Sequence, residues 1–276
     1  MISKEPNHLR ILSLGAGVQS STVSLMIEKG EIPMVDVAIF ADTMGEPERV
    51  YEWLDWLEGK LSYPVHRISF GDLRAKVMEA AKGNIRAFTA PFYTLNPETG
   101  KKSILRRQCT NHYKIQPIVK EVRKLLGLKK GEKRKKGTHV EMIMGISTDE
   151  ASRMKTNRIK YITNVYPLID KGMNRQDCKD WMLKYDYPVP PRSSCTFCPF
   201  NSNQMWQSIK NNKEEWEKVV EMDLAIRSQT TNSRLIEYEL YLHHDCKPIS
   251  EIDFNKRGDE RQLDLFNNEC EGMCGV

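Results

Sequence analysis

The chain has 276 residues, 29% of them charged and 39% hydrophobic, which is enough for one large α/β domain or for one domain with a smaller appendage. Its formal net charge of +5, from 42 basic and 37 acidic residues, is too small to indicate nucleic-acid binding by itself. Because no apolar run approaches a membrane span and the first ten residues are polar, we expect a cytoplasmic protein with no membrane partner. Seven cysteines in that reducing compartment indicate metal or redox chemistry more than disulfide bonds.

The first predicted elements are a strand, a glycine turn and a helix. An apolar run over residues 9–14 is typical of a buried strand, and the glycine-rich turn at 15–17 precedes apolar residues at helical spacing. Such a turn directs backbone N–H groups and the positive end of the helix dipole at one point, which favours a phosphate. Glycines let an anion approach the backbone, and the hydroxyls of Ser20 and Ser21 can donate further hydrogen bonds. The alternative is an ordinary turn with a serine-capped helix.

Strands and helices then alternate along the chain. Strands are predicted over residues 35–41, 64–70 and 139–145. Helices are predicted over residues 46–60, 71–82, 111–126, 174–184 and 203–228. This alternation predicts an α/β fold with a doubly wound, mainly parallel sheet, followed by a C-terminal helical extension and a mobile tail. Ligands in such sheets bind at the carboxyl ends of the strands, where residues 15–21 and 42–45 fall.

Two further stretches lack this periodicity. Residues 84–107 contain three prolines or glycines at 91, 97 and 100 and are predicted to form a long excursion or lid over the active edge. The stretch from Lys129 to Lys136, KKGEKRKK, holds six basic residues and one acidic residue. A solvated loop is the simpler interpretation of these charges, and a contact with nucleic-acid phosphates is the alternative.

The cysteines include one recognisable metal half-site. Cys195 and Cys198 are separated by two residues, a spacing that lets both thiolates bind one ion. Two unbound buried thiols are the alternative. Cys109 by itself is typical of a core cysteine.

These motifs together resemble the phosphoadenosine-phosphosulfate (PAPS) reductase family of the PP-loop, or adenine nucleotide α-hydrolase, superfamily. Residues 15–20 are similar to the PP-loop motif SGGxDS, with Gly15 in place of the serine and Gln19 in place of the aspartate. Four other elements resemble family motifs in the same order. They are FxDTG at 40–45 with one residue inserted, the cysteine-containing helix start at 107–117, the GxRxxES-type loop at 145–153 with Ser147 in place of the first arginine, and PL-x-DW at 167–170. The GCxxC segment follows at 194–198, so the resemblance covers residues 9–200.

The resemblance implies an adenine nucleotide, ATP or adenylyl sulfate, as the small-molecule ligand. The implied nucleotide-binding residues are Gly15, Ala16, Gly17, Gln19, Ser20, Ser21, Asp42, Thr43, Gly145 and Arg153. Asp42 and Thr43 are expected near the adenosine and Arg153 near the anionic end, since the arginine fork donates to phosphate or sulfate bidentately. A helix-capping acid is the alternative for Asp42, and a surface ion pair for Arg153. With Gln19 in place of the aspartate, the loop can still bind an anion, but it does not support pyrophosphate-releasing chemistry. Whether magnesium binds with the phosphates is left open.

The same resemblance implies a metal centre. Bacterial adenylyl-sulfate reductases place a Cys-Cys pair before the later CxxC around a [4Fe–4S] cluster, whereas this chain has Cys109-Thr110. Cys109, Cys195 and Cys198 are therefore implied as three thiolate ligands, which leave one iron position open, as in the PP-loop enzymes that thiolate tRNA. Zinc bound by these cysteines and His112 is the alternative.

The C-terminal cysteines are implied as catalytic. In the reductases a cysteine of an ECG-type motif attacks the sulfur of the nucleotide, and Glu269-Cys270-Glu271-Gly272 is similar. Cys270 and Cys274 are the candidate nucleophiles, although the flanking glutamates are expected to raise the pKa of the Cys270 thiol. An inessential tail is the alternative.

Three functions follow from these expectations. The first is an oxidoreductase that reduces an adenylyl sulfate with a tail thiol and a thiol reductant. The second is an ATP-dependent enzyme that adenylates an acceptor, in nucleic acid or elsewhere, and transfers sulfur from a donor; Ser20 and Ser21 favour it, because the reductases usually have an acidic residue there. The third is a non-catalytic nucleotide-binding partner in a complex.

We expect a nucleotide-binding domain over residues 1–170 and a helical region with the CxxC segment and the tail over residues 171–276.

Overall fold

The computed structural model describes residues 8–84, 88–228 and 238–255. Its strands are β1 His8–Leu14, β2 Val37–Asp42, β3 Val65–Ser69, β4 Tyr93–Leu95, β5 Lys102–Ile104, β6 His139–Met144, β7 Ile162–Val165 and β8 Leu240–Tyr241. Five of them form one sheet in the order β3-β2-β1-β6-β7, and every neighbouring pair is parallel. The predicted α/β fold with a doubly wound parallel sheet is confirmed.

The helices connect these strands. They are α1 Val18–Glu28, α2 Glu48–Glu58, α3 Leu73–Ala81, α4 Gln116–Leu125, α5 Pro167–Asp170, α6 Arg175–Lys184, α7 Asn203–Lys210 and α8 Lys213–Ser228. A π-helical turn, Thr110–Ile115, precedes α4. The single helix predicted over 203–228 is wrong: the Asn212 side chain accepts a hydrogen bond from the N–H of Glu215 and begins a second helix. No helix in the described ranges is long and apolar enough to cross a membrane.

The order of the strands defines one topological switch point. From β1 the chain moves to β2 and then β3 on one side, whereas β6 and β7 lie on the other side of β1. The loops that leave β1 and β6 therefore diverge, and in open α/β sheets ligands bind in the crevice at such a point. The fifth strand, β7, was not predicted, because its Thr163 and Asn164 interrupt the apolar run and it is a partly exposed edge strand.

Helices cover both faces of this sheet. On one face α1, α2 and α6 bury a core that includes Trp53, Leu54 and Trp181, and on the other face α4 contributes Ile118 and Val122. Helix α6 lies C-terminal to the domain boundary predicted at residue 170 and packs against α1. That boundary stays a prediction.

A second layer of structure contains the C-terminal helices and a small antiparallel sheet. Strands β5, β4 and β8 form an antiparallel sheet, so the stretch predicted as an excursion contains a hairpin that pairs with the segment after residue 237. Helices α3, α7 and α8 pack with it around Phe92 and Trp206. This layer holds the CxxC segment and residues 238–255.

One buried carboxylate joins the C-terminal segment to α8. Asp223 on α8 accepts hydrogen bonds from the N–H of Ile249 at 3.0 Å, from the N–H of Leu242 at 3.5 Å and from Arg227 Nε at 3.2 Å. Burial raises the pKa of Asp223, and these donors oppose the rise by stabilising the charged form. The segment after β8 therefore depends on a polar anchor inside the core.

We expect Asp223→Ala to lower the free energy of unfolding by about 2 kcal/mol, because two buried N–H donors lose their acceptor. Urea denaturation monitored by circular dichroism measures this. Glu217→Ala on the exposed face of the same helix is the matched control, with a change under about 0.5 kcal/mol. Equal urea midpoints for the two variants would contradict the role of Asp223 as an anchor.

Candidate functional site

The loops after β1 and β6 make close contact at the switch point. Gly145 follows β6, and a Cβ atom placed on it would lie 2.6 Å from both the N and the Cα of Ser20. Real Cβ atoms do not approach backbone this closely, so the position requires glycine. Beside this contact, Gln19 Nε2 donates a hydrogen bond to Ser147 Oγ at 3.2 Å. The two loops therefore form one packed unit.

The first turn of α1 has the features of an anion site. Gly17 is the N-cap of α1, and no side chain caps the helix. The Ser20 hydroxyl instead accepts from the N–H of Gly15 at 3.2 Å. Ala16 adopts a left-handed conformation with φ of 59°, which costs a non-glycine residue about 1–2 kcal/mol. A strained turn that leads into an uncapped helix start directs N–H groups at one point, as phosphate loops do.

Not every predicted loop residue has its polar group in this turn. Ser21 is buried, and its hydroxyl accepts a hydrogen bond from Trp53 Nε1 at 3.0 Å, between α1 and α2. Ser20 is also buried, but its hydroxyl lies within the turn. The assignment of both serines to the nucleotide stays a prediction.

Arg175 is a site residue that the sequence did not reveal. It is the first residue of α6, and its Nη1 donates to Gln19 Oε1 at 3.0 Å, while its backbone N–H donates to Asp149 Oδ1 at 3.1 Å. Gln19, which stands where the motif that the sequence resembles has aspartate, thus links Arg175 to the loop and to Ser147. The sequence contains one signal for this role. A basic residue in the first turn of a helix is unfavourable, because its charge opposes the helix dipole.

Arg153 lies in a short 3₁₀ turn, Thr148–Arg153, that follows β6. Its Nη1 is 2.6 Å from Glu150 Oε2, and the two side chains are only 13% and 9% exposed. The ion pair is therefore largely buried rather than a surface pair. The predicted role of Arg153 at the anionic end of a ligand is not tested by this geometry.

Asp42 ends β2 and organises the turn that follows. Its Oδ1 accepts from the N–H of Met44 at 2.7 Å and from the hydroxyl of Tyr51 at 2.9 Å. Burial, and then the charge of Asp42, raise the pKa of Tyr51. Met44, the residue inserted into the family motif, takes a left-handed φ of 57° with its side chain exposed. The N-cap of α2 is Pro47, so Asp42 is not the cap of that helix.

The predicted metal ligands border one small cavity next to β2. Cys109, Cys195 and Cys198 line a cavity of about 30 Å³. Its other lining groups include Thr43, Arg107 and Lys114. Thr43, expected near adenosine, lies 3.1 Å from Cys195, measured between Oγ1 and Sγ. The fold thus gathers the three thiols at the carboxyl end of a strand adjacent to β1.

The CxxC segment is held tightly against the turn after β2. The N–H of Thr196 donates to the carbonyl of Gly45 at 2.8 Å. A Cβ on Gly45 would lie 2.8 Å from Phe197 Cε1, so the aromatic ring of this segment packs directly on the glycine. The turn after β2 therefore positions Cys195 and Cys198.

A buried ion pair lies beside these thiols. Glu46 Oε1 is 3.7 Å from Lys114 Nζ, with the side chains 1% and 4% exposed, and the Ser193 hydroxyl donates to Glu46 Oε2. Burial raises the pKa of the Cys195 thiol well above its usual value, and Glu46 raises it further, while Lys114 opposes the rise. Cys195 is consequently a neutral thiol at pH 7 unless a bound cation displaces its proton.

The ligand atoms of a single metal ion lie close together. Tetrahedral zinc, with Zn–S bonds of about 2.3 Å, requires sulfur–sulfur distances of about 3.8 Å. Within residues 8–84, 88–228 and 238–255, the groups of three ligand atoms that all lie within 4.8 Å of one another are His8 with His139 and Glu141, and His243 with His244 and Asp245. The three cysteines, with or without His112, do not form such a group.

Two predicted elements lie elsewhere. Cys270 and Cys274 fall outside the described residues. The basic stretch from Lys129 to Lys136 is exposed and precedes β6, so it lies at the amino edge of the sheet, opposite the switch point. A nucleic acid bound to that stretch would be on the far edge from the candidate site.

Compared with known proteins, the chain matches no protein-family model and no curated protein. Among solved structures it is similar to the crystal structure of phosphoadenylyl-sulfate (PAPS) reductase from Candida auris in its phosphate complex. The two are 14% identical, the match covers 68% of this chain and 77% of that chain, and the TM-score is 0.41.

Proposed function

We propose that this chain is an enzyme that binds an adenine nucleotide at the β1–β6 switch point and carries out sulfur–nucleotide chemistry of the PAPS reductase type. The observation that carries the proposal is the uncapped start of α1, against which Gly145 packs with no room for a side chain. An oxyanion at this point receives hydrogen bonds from the first-turn N–H groups and interacts favourably with the helix dipole.

The Gln19–Arg175 contact supports an oxyanion ligand. The guanidinium of Arg175 lies next to the loop, where it adds a positive charge and a planar donor fork suited to phosphate or sulfate. Gln19 contributes no carboxylate to bind magnesium or to repel the anion. These features favour binding of an adenylyl sulfate over magnesium-assisted release of pyrophosphate from ATP.

We expect Gly145→Ala to weaken the binding of adenosine 5′-phosphosulfate by at least about tenfold, because the new Cβ displaces the backbone of Ser20 and the N–H groups around it. Isothermal titration calorimetry measures the affinity. Gly59→Ala is the matched control, since its φ is −67° and the new Cβ would meet its nearest atom, the carbonyl of Trp56, at 3.4 Å. A folded Gly145→Ala protein with the affinity of the control would refute the location of the site.

We also propose that Cys109, Cys195 and Cys198 hold a [4Fe–4S] cluster rather than zinc. The basic Arg107 and Lys114 in the cavity wall support it, because a cluster with several thiolates carries negative charge. When bound, such a cluster supplies an electropositive iron site or an electron close to the nucleotide. The protein's part is to hold the thiolates and to stabilise their charge through Lys114.

We expect serine substitution of Cys109, Cys195 or Cys198 to remove most of the iron and acid-labile sulfide from anaerobically purified protein, with loss of the broad visible absorption. Cys178→Ser is the matched control, since that cysteine is buried in α6 and is not among the residues that line the thiol cavity. Zinc in place of iron would contradict the cluster, and full metal content in all three variants would contradict the site.

Two other functions keep specific support. An ATP-dependent sulfurtransferase is favoured by Ser20 and Ser21, and a non-catalytic nucleotide-binding partner by Gln19.

The reductase is favoured by the tail thiols. The Cys270 or Cys274 thiolate displaces the nucleotide from sulfur to give an S-sulfocysteine, and a thiol reductant then releases sulfite. A reducing, cytoplasmic compartment would keep these thiols reduced.

Truncation after Asn268 separates the two enzymes. The reductase loses sulfite release from adenylyl sulfate or PAPS but keeps nucleotide binding, because only the tail thiols are removed. A sulfurtransferase keeps its release of pyrophosphate from ATP. We expect the first result, measured by sulfite assay beside a binding titration. A truncated chain that still releases sulfite at the full rate would contradict the tail nucleophile.

A further inference from the structure

A second group of metal-binding side chains lies outside the site described above. His243, His244 and Asp245 follow β8, and the N–H of Cys246 donates to the carbonyl of His243 at 3.0 Å, which closes a turn. Cys246 takes a left-handed φ of 55° in this turn. The turn brings one nitrogen of each histidine and the carboxylate within 4.8 Å of one another.

The hydrogen bonds of His243 fix its tautomer. The N–H of Asp245 donates to Nδ1 at 3.2 Å, so Nδ1 carries the lone pair. The hydrogen of the neutral ring is then on Nε2, which donates to Asn203 Oδ1 at 3.1 Å. Metal-bound histidines usually donate one ring N–H to a protein oxygen in this way, and an ion bound at Nδ1 would take the place of the Asp245 N–H.

The carboxylate of Asp245 lies close to both histidine rings. Asp245 Oδ2 is 3.6 Å from His243 Nδ1, and Asp245 Oδ1 is 3.4 Å from His244 Nε2. Ligands at about 2.1 Å from a tetrahedral ion are separated by about 3.4 Å. The other described group, around Glu141, differs because Arg10 Nε lies 3.0 Å from that carboxylate and occupies it with a positive charge.

We infer that His243, His244 and Asp245 form a binding site for a divalent first-row transition metal, with Zn²⁺ the best match, separate from the thiol cavity. Two imidazoles and one carboxylate are a common ligand set for such ions and leave at least one coordination position open. His243 is buried, whereas the side chains of His244 and Asp245 are 34% and 48% exposed, so the ion can enter from solvent. The thiol of Cys246 contacts the carbonyls of Thr94 and His244 and belongs to a different set of contacts.

The site connects two parts of the C-terminal layer. Asn203 begins α7, shortly after the CxxC segment, while the histidines belong to the segment that Asp223 anchors to α8. A bound ion therefore joins the start of α7 to this segment through His243. Binding to the native state alone also raises the melting temperature of the protein in proportion to the logarithm of the metal concentration.

Cobalt titration of the chelator-treated full chain tests the inference, with Co²⁺ as the probe under anaerobic conditions. Thiolate ligation produces intense near-ultraviolet charge-transfer bands, whereas nitrogen and oxygen ligands give only weak visible bands. We expect wild-type protein to bind one equivalent of Co²⁺ without the thiolate bands. Asp245→Asn, which keeps the shape and the backbone N–H, should weaken that equivalent at least tenfold, and Asp253→Asn in the same segment should not.

Variants of Asn203 provide a second test of the site. Asn203→Ala should weaken the same equivalent about tenfold, while Asn203→Asp, which still accepts from Nε2, should retain the affinity. Nucleotide affinity is measured in every variant and should not change, which separates this site from the proposed function. Unchanged Co²⁺ affinity in Asp245→Asn, or thiolate bands on every bound equivalent, would overturn the inference.

Discussion

The packing of Gly145 against the backbone of Ser20 is the constraint on which the candidate site depends. It holds the loop after β6 on the first turn of α1, at the topological switch point of the sheet. A larger residue at 145 would separate the loops and move Gln19 away from Ser147. Arg175 would then lose the side chain that connects it to the loop.

The two proposed sites lie side by side at the carboxyl edge of the sheet. Turns after β1 and β2 each contain a non-glycine residue in the left-handed region, Ala16 and Met44, and such strain is kept where the surroundings determine the conformation. The first turn belongs to the proposed anion site. The second carries Thr43 and Gly45, which contact the CxxC segment, and leads to Glu46, whose buried pairing with Lys114 sets the charge around Cys195. Because β1 and β2 are neighbours, a nucleotide and a metal centre at these turns would be adjacent.

Much of the fold was predictable, because buried parallel strands have continuous apolar runs and their helices have clear periodicity. The strand–turn–helix of residues 9–28 belongs to this class. Strand β7 was not predictable, because polar residues interrupt its apolar run. The break between α7 and α8 was not predictable either, because the helical pattern of the sequence continues across it. Arg175, and the group of His243, His244 and Asp245, depend on contacts between distant segments that only the folded chain brings together.

The central claim is that an adenine nucleotide binds with its anionic end on the first turn of α1. A crystal structure of the full chain with adenosine 5′-phosphosulfate tests this most directly. The account predicts that the phosphate or sulfate oxygens accept hydrogen bonds from the N–H groups at the start of α1, with the Arg175 guanidinium beside them. A nucleotide bound at any other edge of the sheet, or with its phosphates away from this turn, would contradict it.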